Sequence, residues 1–303
     1  MKIGYPCVNR TIGCTGSATF RLVNLSEKRF HETVVNNLDC VDKMLLFNAQ
    51  NGLLFFRISS DVVPFASHPV CGVDWACVYG ERLRETGGFI KKNKIRVSMH
   101  PDQFVLLNAL DETIVEKSVA ELAYHAKFLD SLGLDPTAKI QIHVGGAYGD
   151  KESAMLRFVK RYRSLDSTIK NRLVIENDDR LYSLKDCMAV HRATGVPVLL
   201  DVFHHTLNNN GEPVHKAIVA ARDTWKKHDG LPLVDYSSQK KGKRPGSHAE
   251  SIGIKGFSAF LKMCEPMDFD IMLEIKDKEK SALKAVKAAA ADPRLVRLQR
   301  RPP

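Results

Sequence analysis

Short apolar runs, each closing on a polar residue and followed by a longer amphipathic stretch, recur along the whole chain. They cover residues 3–7, 54–59, 95–100, 140–144, 172–176, 196–202, 231–237 and 271–274, eight runs in all. Runs this short read as buried strands, although periodicity alone leaves a buried helix open. Between them, apolar residues fall at helical spacing. Residues 27–51 carry Val34, Val35, Leu38, Val41, Met44, Leu45 and Phe47, with Ser26 placed to cap the first turn. Residues 112–132, 151–162, 184–194, 214–228 and 256–263 read the same way. Strands alternating with helices imply a parallel sheet. Eight such units favour a closed (β/α)₈ TIM barrel, a single domain over residues 1–280, above an open doubly wound sheet. No GxGxxG follows the first strand, which weakens the open-sheet reading. Residues 276–292 mix Lys and Ala as a basic helix stopped by Pro293, and arginines follow; residues 281–303 are expected to form a basic helix and solvated tail.

The polar residues that close the runs carry the chemistry. From the third run onward they are His100, His143, Glu176, Asp201, Asp235 and Glu274. In a barrel the C-terminal strand ends surround one mouth, so these residues become neighbours. His204, three residues after Asp201, and His248, in the loop after the seventh strand, join them. Imidazole mixed with carboxylate suits zinc, manganese or iron, whereas oxygen ligands alone suit magnesium or calcium. At roughly three to five ligands per ion, such a set fills two or three divalent ions with bridging carboxylates. Clustered ions of this kind hydrolyse phosphodiesters. Glu176 and Glu274 are the expected bridges, with His100 and His143 beside the reacting group.

Each residue has a plainer reading. A lone His at a strand end is usually a satisfied buried group; Asp201 could cap the next helix and Glu274 could pair with Lys276. Repeated across the whole set, those readings bury many charges without partners, at several kcal/mol each. His31, His125, His191, His215 and His228 lie in helical patterns and read as surface or packing residues. Only one of His204 and His205 needs to face the mouth, and His68 sits in a loop that could reach it.

Charge and cysteine content narrow the picture. The 303 residues carry a formal net charge of +10, which suits a polyanionic partner without proving one. Seven cysteines with no CxxC pair are expected to be reduced thiols in a cytoplasmic protein. The start, MKIGYPCVNR, has no apolar signal-peptide core, and no apolar run is long enough to span a membrane.

Several segments carry a wider pattern: GYPC at Gly4, FRISSDVVPFASHP at Phe56, SMHPDQF at Ser98, HVGGAYGDK at His143, IENDDR at Ile175, LDVFHHTLN at Leu200, KRPGSHA at Lys243 and LEIKDKE at Leu273. In that order the chain resembles the ATP-independent ultraviolet-damage endonuclease family, roughly from Ile3 to Glu279. The resemblance implies a TIM barrel similar to endonuclease IV with a cluster of metal ions, often manganese, zinc or magnesium being alternatives. It implies incision of damaged double-stranded DNA on the 5′ side of cyclobutane pyrimidine dimers and 6-4 photoproducts, leaving a 3′ hydroxyl; abasic sites are an open extension. No nucleotide cofactor or membrane partner is expected, and a monomer is. His100, His143, Glu176, Asp201, His204, His248 and Glu274 match family ligand positions. One departure is visible. Some relatives read Lys-x-His on the seventh strand where this chain has Leu233-Val234-Asp235, so metal preference and pH optimum stay open. Gln103 and Phe104 match a Gln-aromatic pair that enters the duplex where lesion bases leave, and Tyr5 and Asn9 match groove-facing positions. Lys151, Lys243 and Arg244, with Lys240 and Lys241, are expected phosphate contacts. The rival readings are a metal-dependent sugar isomerase or epimerase on the same fold, and a DNA-damage binding protein that does not cleave.

Overall fold

The structure, a computed structural model, describes residues 1–297. Strand β1 (Ile3–Pro6) leads through a long loop to α1 (Glu27–Asn51) and β2 (Phe55–Ile58). Helices α2 (Trp75–Val78) and α3 (Gly80–Lys92) precede β3 (Arg96–Met99), and α4 (Glu112–Ser131) precedes β4 (Lys139–His143). Next come α5 (Lys151–Ser164), α6 (Ser167–Lys170), β5 (Leu173–Glu176), α7 (Leu184–Thr194) and β6 (Val198–Asp201). The chain ends through α8 (Val202–Leu207), α9 (Val214–Arg222), β7 (Leu233–Tyr236), α10 (Ile254–Met263), β8 (Asp270–Leu273) and α11 (Glu279–Ala288). The strands close into a parallel barrel in chain order, β8 pairing with β1. All eight expected strands are present.

Helix ends follow local chemistry. The Ser26 hydroxyl accepts the Arg29 amide at 3.3 Å to open α1, and Gly52 closes it in the left-handed conformation, φ 69°. Helix α9 stops at Arg222, short of the expected 228; Lys227–Asp229 instead form a 3₁₀ turn that sends Asp229 to Lys139. Helix α3 was invisible to apolar periodicity because its buried face is Gly80, Leu83, Thr86, Gly87 and Ile90. Gly87 is required there, since a Cβ would lie 1.7 Å from the Leu132 carbonyl oxygen.

Two expectations fail. Cys14 and Cys40 form a disulfide, so the cysteines are not all free thiols. The β1–α1 loop folds back on α1, where the Asn37 side chain binds both the amide and the carbonyl of Ala18 and brings the two cysteines together. Nor is the segment after α11 simply a solvated tail. Arg294 pairs with Asp292 and donates to the carbonyls of Leu261 and Met267, and the Val296 amide binds the Met1 carbonyl. Arg300 and Arg301 lie outside the described residues. Among the described residues no helix is long and apolar enough to cross a membrane.

The barrel interior is layered. Side chains alternate along a strand, so every second residue faces inward. Phe55, Val174, Leu199, Leu233 and Met272 form an apolar middle layer. Below it, at the N-terminal end, sit Arg96, Lys139 and Asp270; two residues above it sit Arg57, Glu176, Asp201, Asp235 and Glu274.

Candidate metal centre

Strand register assembles the mouth. His143 lies beside Glu176 across β4–β5, and Asp201 beside Asp235 across β6–β7. Glu176, fully buried, is the hub. Its carboxylate lies 3.4 Å from His100 Nε2, 3.9 Å from His143 Nε2 and 3.2 Å from His204 Nδ1. Three groups bring ligand atoms within 4.8 Å of one another: His100, His143 and Glu176; Glu176, Asp201 and His204; Asp201, Asp235 and Glu274. Glu176 and Asp201 are each shared. His248 stands at the edge, its Nε2 4.0 Å from Glu274 Oε2, and belongs to none of the three.

Backbone carbonyls orient the imidazoles. A carbonyl only accepts, so a ring nitrogen beside one carries the proton and leaves the other lone pair free. His100 Nδ1 donates to the Pro101 carbonyl at 2.8 Å and His248 Nδ1 to the Glu274 carbonyl at 2.8 Å, so both Nε2 atoms turn to the carboxylates. His204 Nδ1 likewise donates to the Asn177 carbonyl at 3.0 Å. Asp201 does cap α8, its Oδ1 accepting the His204 amide at 2.7 Å, but only with one oxygen.

What remains unpaired tests whether these residues fit metal ions. His143 Nδ1, Asp201 Oδ2 and Asp235 Oδ1 are buried without a hydrogen-bond partner. Buried polar atoms are nearly always satisfied, so unpaired carboxylate oxygens on Asp201 and Asp235, two residues of one ligand group, mark room for a cation. The electrostatics agree. Burial pushes Asp201 well above the usual carboxylate range and Asp235 up to about 7. Burial would also raise Glu176, but His143, His100 and His204 outweigh it and hold it well below. Arg57 does the same for Glu274, held at about 2. Burial opposes the charge on His204, yet Asp201 and Glu176 lift it to about 11. The carboxylates thus compete for whatever positive charge is present. Their donor set, imidazole and carboxylate with shared oxygens, fits transition-metal ions.

Sequence reasoning missed the layer that supports this cluster. Arg57, 3% exposed, donates to Asp235 Oδ2 at 2.7 Å and Glu274 Oε1 at 2.5 Å. Gln141 accepts from Arg57 at 2.7 Å and donates to both Asp235 and Glu176. The available signal was the period of two: Gln141 lies two before His143, and Arg57 is the one charge in its apolar run.

Two clefts flank the cluster. One, about 580 Å³, is lined by Arg57, His100, Gln103, Phe104, His248, Glu274, Lys276 and Lys278 among others. The other, about 360 Å³, includes His100, Gln103, His143, Asp178, Asp179, Arg180 and His204. Phe104 is 75% exposed. Lys278 has no ion-pair partner among the described residues and sits at φ 55°, a conformation that disfavours a side chain. It too was not anticipated.

Other expected contacts are elsewhere. Tyr5 and Asn9 do not face a groove: both are buried, Tyr5 donating to Asn48 at 2.8 Å and accepting from Asn9 at 3.0 Å. Alternation along β1 carries Tyr5 into the packing behind the sheet. Lys151 is not a free phosphate contact, since Asp186 holds its ammonium at 2.6 Å over the Tyr182 ring. Lys243 and Arg244 are exposed on the β7–α10 loop, whose shape Gln239 fixes by donating to both their carbonyls. Lys241 is exposed there and Lys240 pairs with Glu250. His68 is exposed and outside the ligand groups; His125 is buried packing, and His205 turns away to the Glu212 carbonyl.

Comparison with known proteins matches this architecture. The chain matches the family described as UV-endonuclease UvdE over residues 2–296. It is 38% identical over 288 residues to a UV DNA damage endonuclease of Clostridium perfringens (strain 13 / Type A), covering 94% of this chain and 70% of that protein. The crystal structure of SacUVDE superposes with a TM-score of 0.92 at 45% identity, covering 96% of this chain and 98% of that one. Endonuclease IV from Thermus thermophilus superposes with a TM-score of 0.58 at 19% identity, covering 96% and 98% respectively, a likeness of fold alone. Matched across almost its whole length, the chain belongs to the UV-endonuclease UvdE family and is an endonuclease.

Proposed function

We propose that the barrel mouth is a metal-dependent phosphodiesterase centre that incises duplex DNA on the 5′ side of cyclobutane pyrimidine dimers and 6-4 photoproducts. The observation that carries this reading is the set of ligand groups that share Glu176 and Asp201 and leave buried ligand atoms unpaired. His100, His143 and Glu176 would hold one divalent ion and Glu176, Asp201 and His204 another, manganese being the expected metal. The chemistry such ions supply when bound is a lowered pKa for water and stabilisation of the charge that develops on the phosphoryl and leaving oxygens.

The chain's own residues do the rest. Glu176 ties the two groups together, and Gln141 fixes its orientation from below. The carbonyls of Pro101 and Glu274 hold His100 and His248 in the tautomer that faces inward. Phe104 and Gln103 project beside His100, where an aromatic ring can fill the gap left by extruded lesion bases. Extrusion is least costly where damage has already weakened pairing, which favours lesions over intact duplex. Lys278, unpaired and facing the same cleft, donates to a backbone phosphate. Lys243 and Arg244 extend that contact along the rim. The exposed Phe104 also favours this reading over a sugar epimerase, whose small substrate calls for an enclosed pocket.

The test is incision of an oligonucleotide duplex carrying one defined dimer. A single cut 5′ to the dimer, abolished by chelator, is expected. Cutting of undamaged duplex at the same rate would refute the lesion assignment, and turnover of a ketose in its place would favour the epimerase.

A further inference from the structure

The three ligand groups are not equivalent, and the difference bears on how many ions the centre holds, given the metal-centre reading of the mouth. Two groups contain histidine. The third, Asp201, Asp235 and Glu274, contains only carboxylates. Two of those carboxylates are already bound to a cation. Arg57 Nη2 lies 2.7 Å from Asp235 Oδ2, and Nη1 lies 2.5 Å from Glu274 Oε1. Gln141 Oε1 accepts from the same Nη2 at 2.7 Å, which locks the guanidinium plane. Neither histidine-containing group receives a hydrogen bond from Arg57.

A guanidinium stays charged under any condition in which the protein folds. Its partners are buried, where charges are weakly screened. A divalent ion entering the third group would meet a fixed positive charge beside it, and one oxygen each of Asp235 and Glu274 is already engaged by that charge. Each of the other two groups includes an imidazole and receives no such cation, while the unpaired Asp201 Oδ2 is on the residue that the second and third groups share. Asp235 explains why Arg57 stays. A carboxylate on β7 accepts from a guanidinium, whereas a histidine there would repel it once protonated and bind it weakly otherwise. Leu233, two residues below, belongs to the apolar layer and supplies no competing charge.

We propose that Arg57 is the resident cation of the third ligand group and holds the centre to two metal ions. Asp235 is then an anchor for Arg57 rather than a metal ligand, and Arg57 is a positioning residue that sets metal number.

The test is a count of bound metal, independent of incision. Metal-stripped protein is titrated with Mn²⁺, with free ion followed by its electron paramagnetic resonance signal and bound ion by elemental analysis after gel filtration. The native chain should saturate at about two equivalents. Arg57→Gln should take up about one more, and Arg57→Lys, which keeps a positive charge, should not. The double change Arg57→Gln with Asp235→Asn should return the count to the native value. Saturation of the native chain at about three equivalents overturns the proposal, as does an Arg57→Gln count that stays level or falls. If Arg57→Gln does not fold, Asp235→Asn decides. An unchanged count supports the anchor role, and loss of an equivalent makes Asp235 a ligand and overturns it. A native chain that binds no manganese, zinc or magnesium would remove the metal-centre reading itself, and this inference with it.

Discussion

At the N-terminal end of the barrel, Arg96 meets Asp270 at 2.9 Å and Lys139 meets Asp229 at 2.5 Å, with Trp225 covering both cations. At the C-terminal end, Arg57 pairs with Asp235 and Glu274, while Glu176 and Asp201 face imidazoles. Both ends bury charge in the same cylinder, one apolar layer apart. At the lower end every charge is answered: Arg96 also donates to the carbonyls of Thr137, Asp229 and Leu231, and Asp270 also accepts the Lys2 amide. No side-chain polar atom of those four residues is orphaned, while the mouth leaves one polar atom each of His143, Asp201 and Asp235 unpaired. A closed set of pairs secures the fold. An open set of carboxylates and imidazoles costs stability unless cations complete it, as the metal-centre reading requires. The contrast separates structure from function inside one barrel.

Changes at the two ends should therefore fail in different ways. The largest effect is expected from Glu176→Gln, which removes the shared carboxylate: incision should fall on the order of a thousandfold while the circular dichroism spectrum stays native. Retained cutting would break the contrast at its upper end. Lys139→Met strands Asp229 at the lower end and should cost roughly 3–5 kcal/mol of stability by denaturant titration, with incision per folded molecule unchanged. A selective loss of cutting there would break it at the other end.

A pH effect sharpens the boundary between the two. His125, behind the mouth, donates to the Glu121 carbonyl and lies 3.0 Å from Ser60 Oγ, and burial pushes its imidazole down to about 4. Between that value and the unfolded value of 6.5 the unfolded chain binds more protons. Its contribution is complete above pH 6.5 and is lost as pH falls toward 4, by up to roughly 3 kcal/mol. His125→Gln should flatten the acid limb of Tm against pH; an unchanged limb assigns that limb to another group.

Smaller effects are expected from the cleft wall outside the ligand groups. Gln103→Ala with Phe104→Ala should reduce preference for a dimer-containing duplex by about tenfold, since base–aromatic stacking is worth roughly 1–3 kcal/mol. Full preference in that variant would remove the probe role. Lys278→Met should weaken binding a few-fold at all sequences and lower the salt slope by about one. An unaltered slope would mean that Lys278 meets no phosphate.

Much of this was readable beforehand, for a definite reason. A buried parallel strand is a compact apolar run, and a polar residue at its C-terminal end interrupts that run, so His100, His143, Glu176, Asp201 and Glu274 stood out as candidate ligands by type and place. Arg57 and Gln141 did not, because their meaning lies across the barrel and not along the strand. Tyr5 and Asn9 show the limit of a motif, which gives a position in the chain but not the direction of a side chain. The Cys14–Cys40 bond had no spacing signal at all, since it depends on a loop doubling back on α1. Helix α3 was hidden by its small-residue face.

The most direct test of the mouth as a metal-dependent incision centre uses protein stripped of metal and a duplex with one cyclobutane dimer. The stripped protein should bind the duplex and leave it intact, and added manganese should restore a single cut on the 5′ side of the dimer with a 3′ hydroxyl end. Cutting by the stripped protein in excess chelator, at the rate of the manganese-treated protein, would contradict the account.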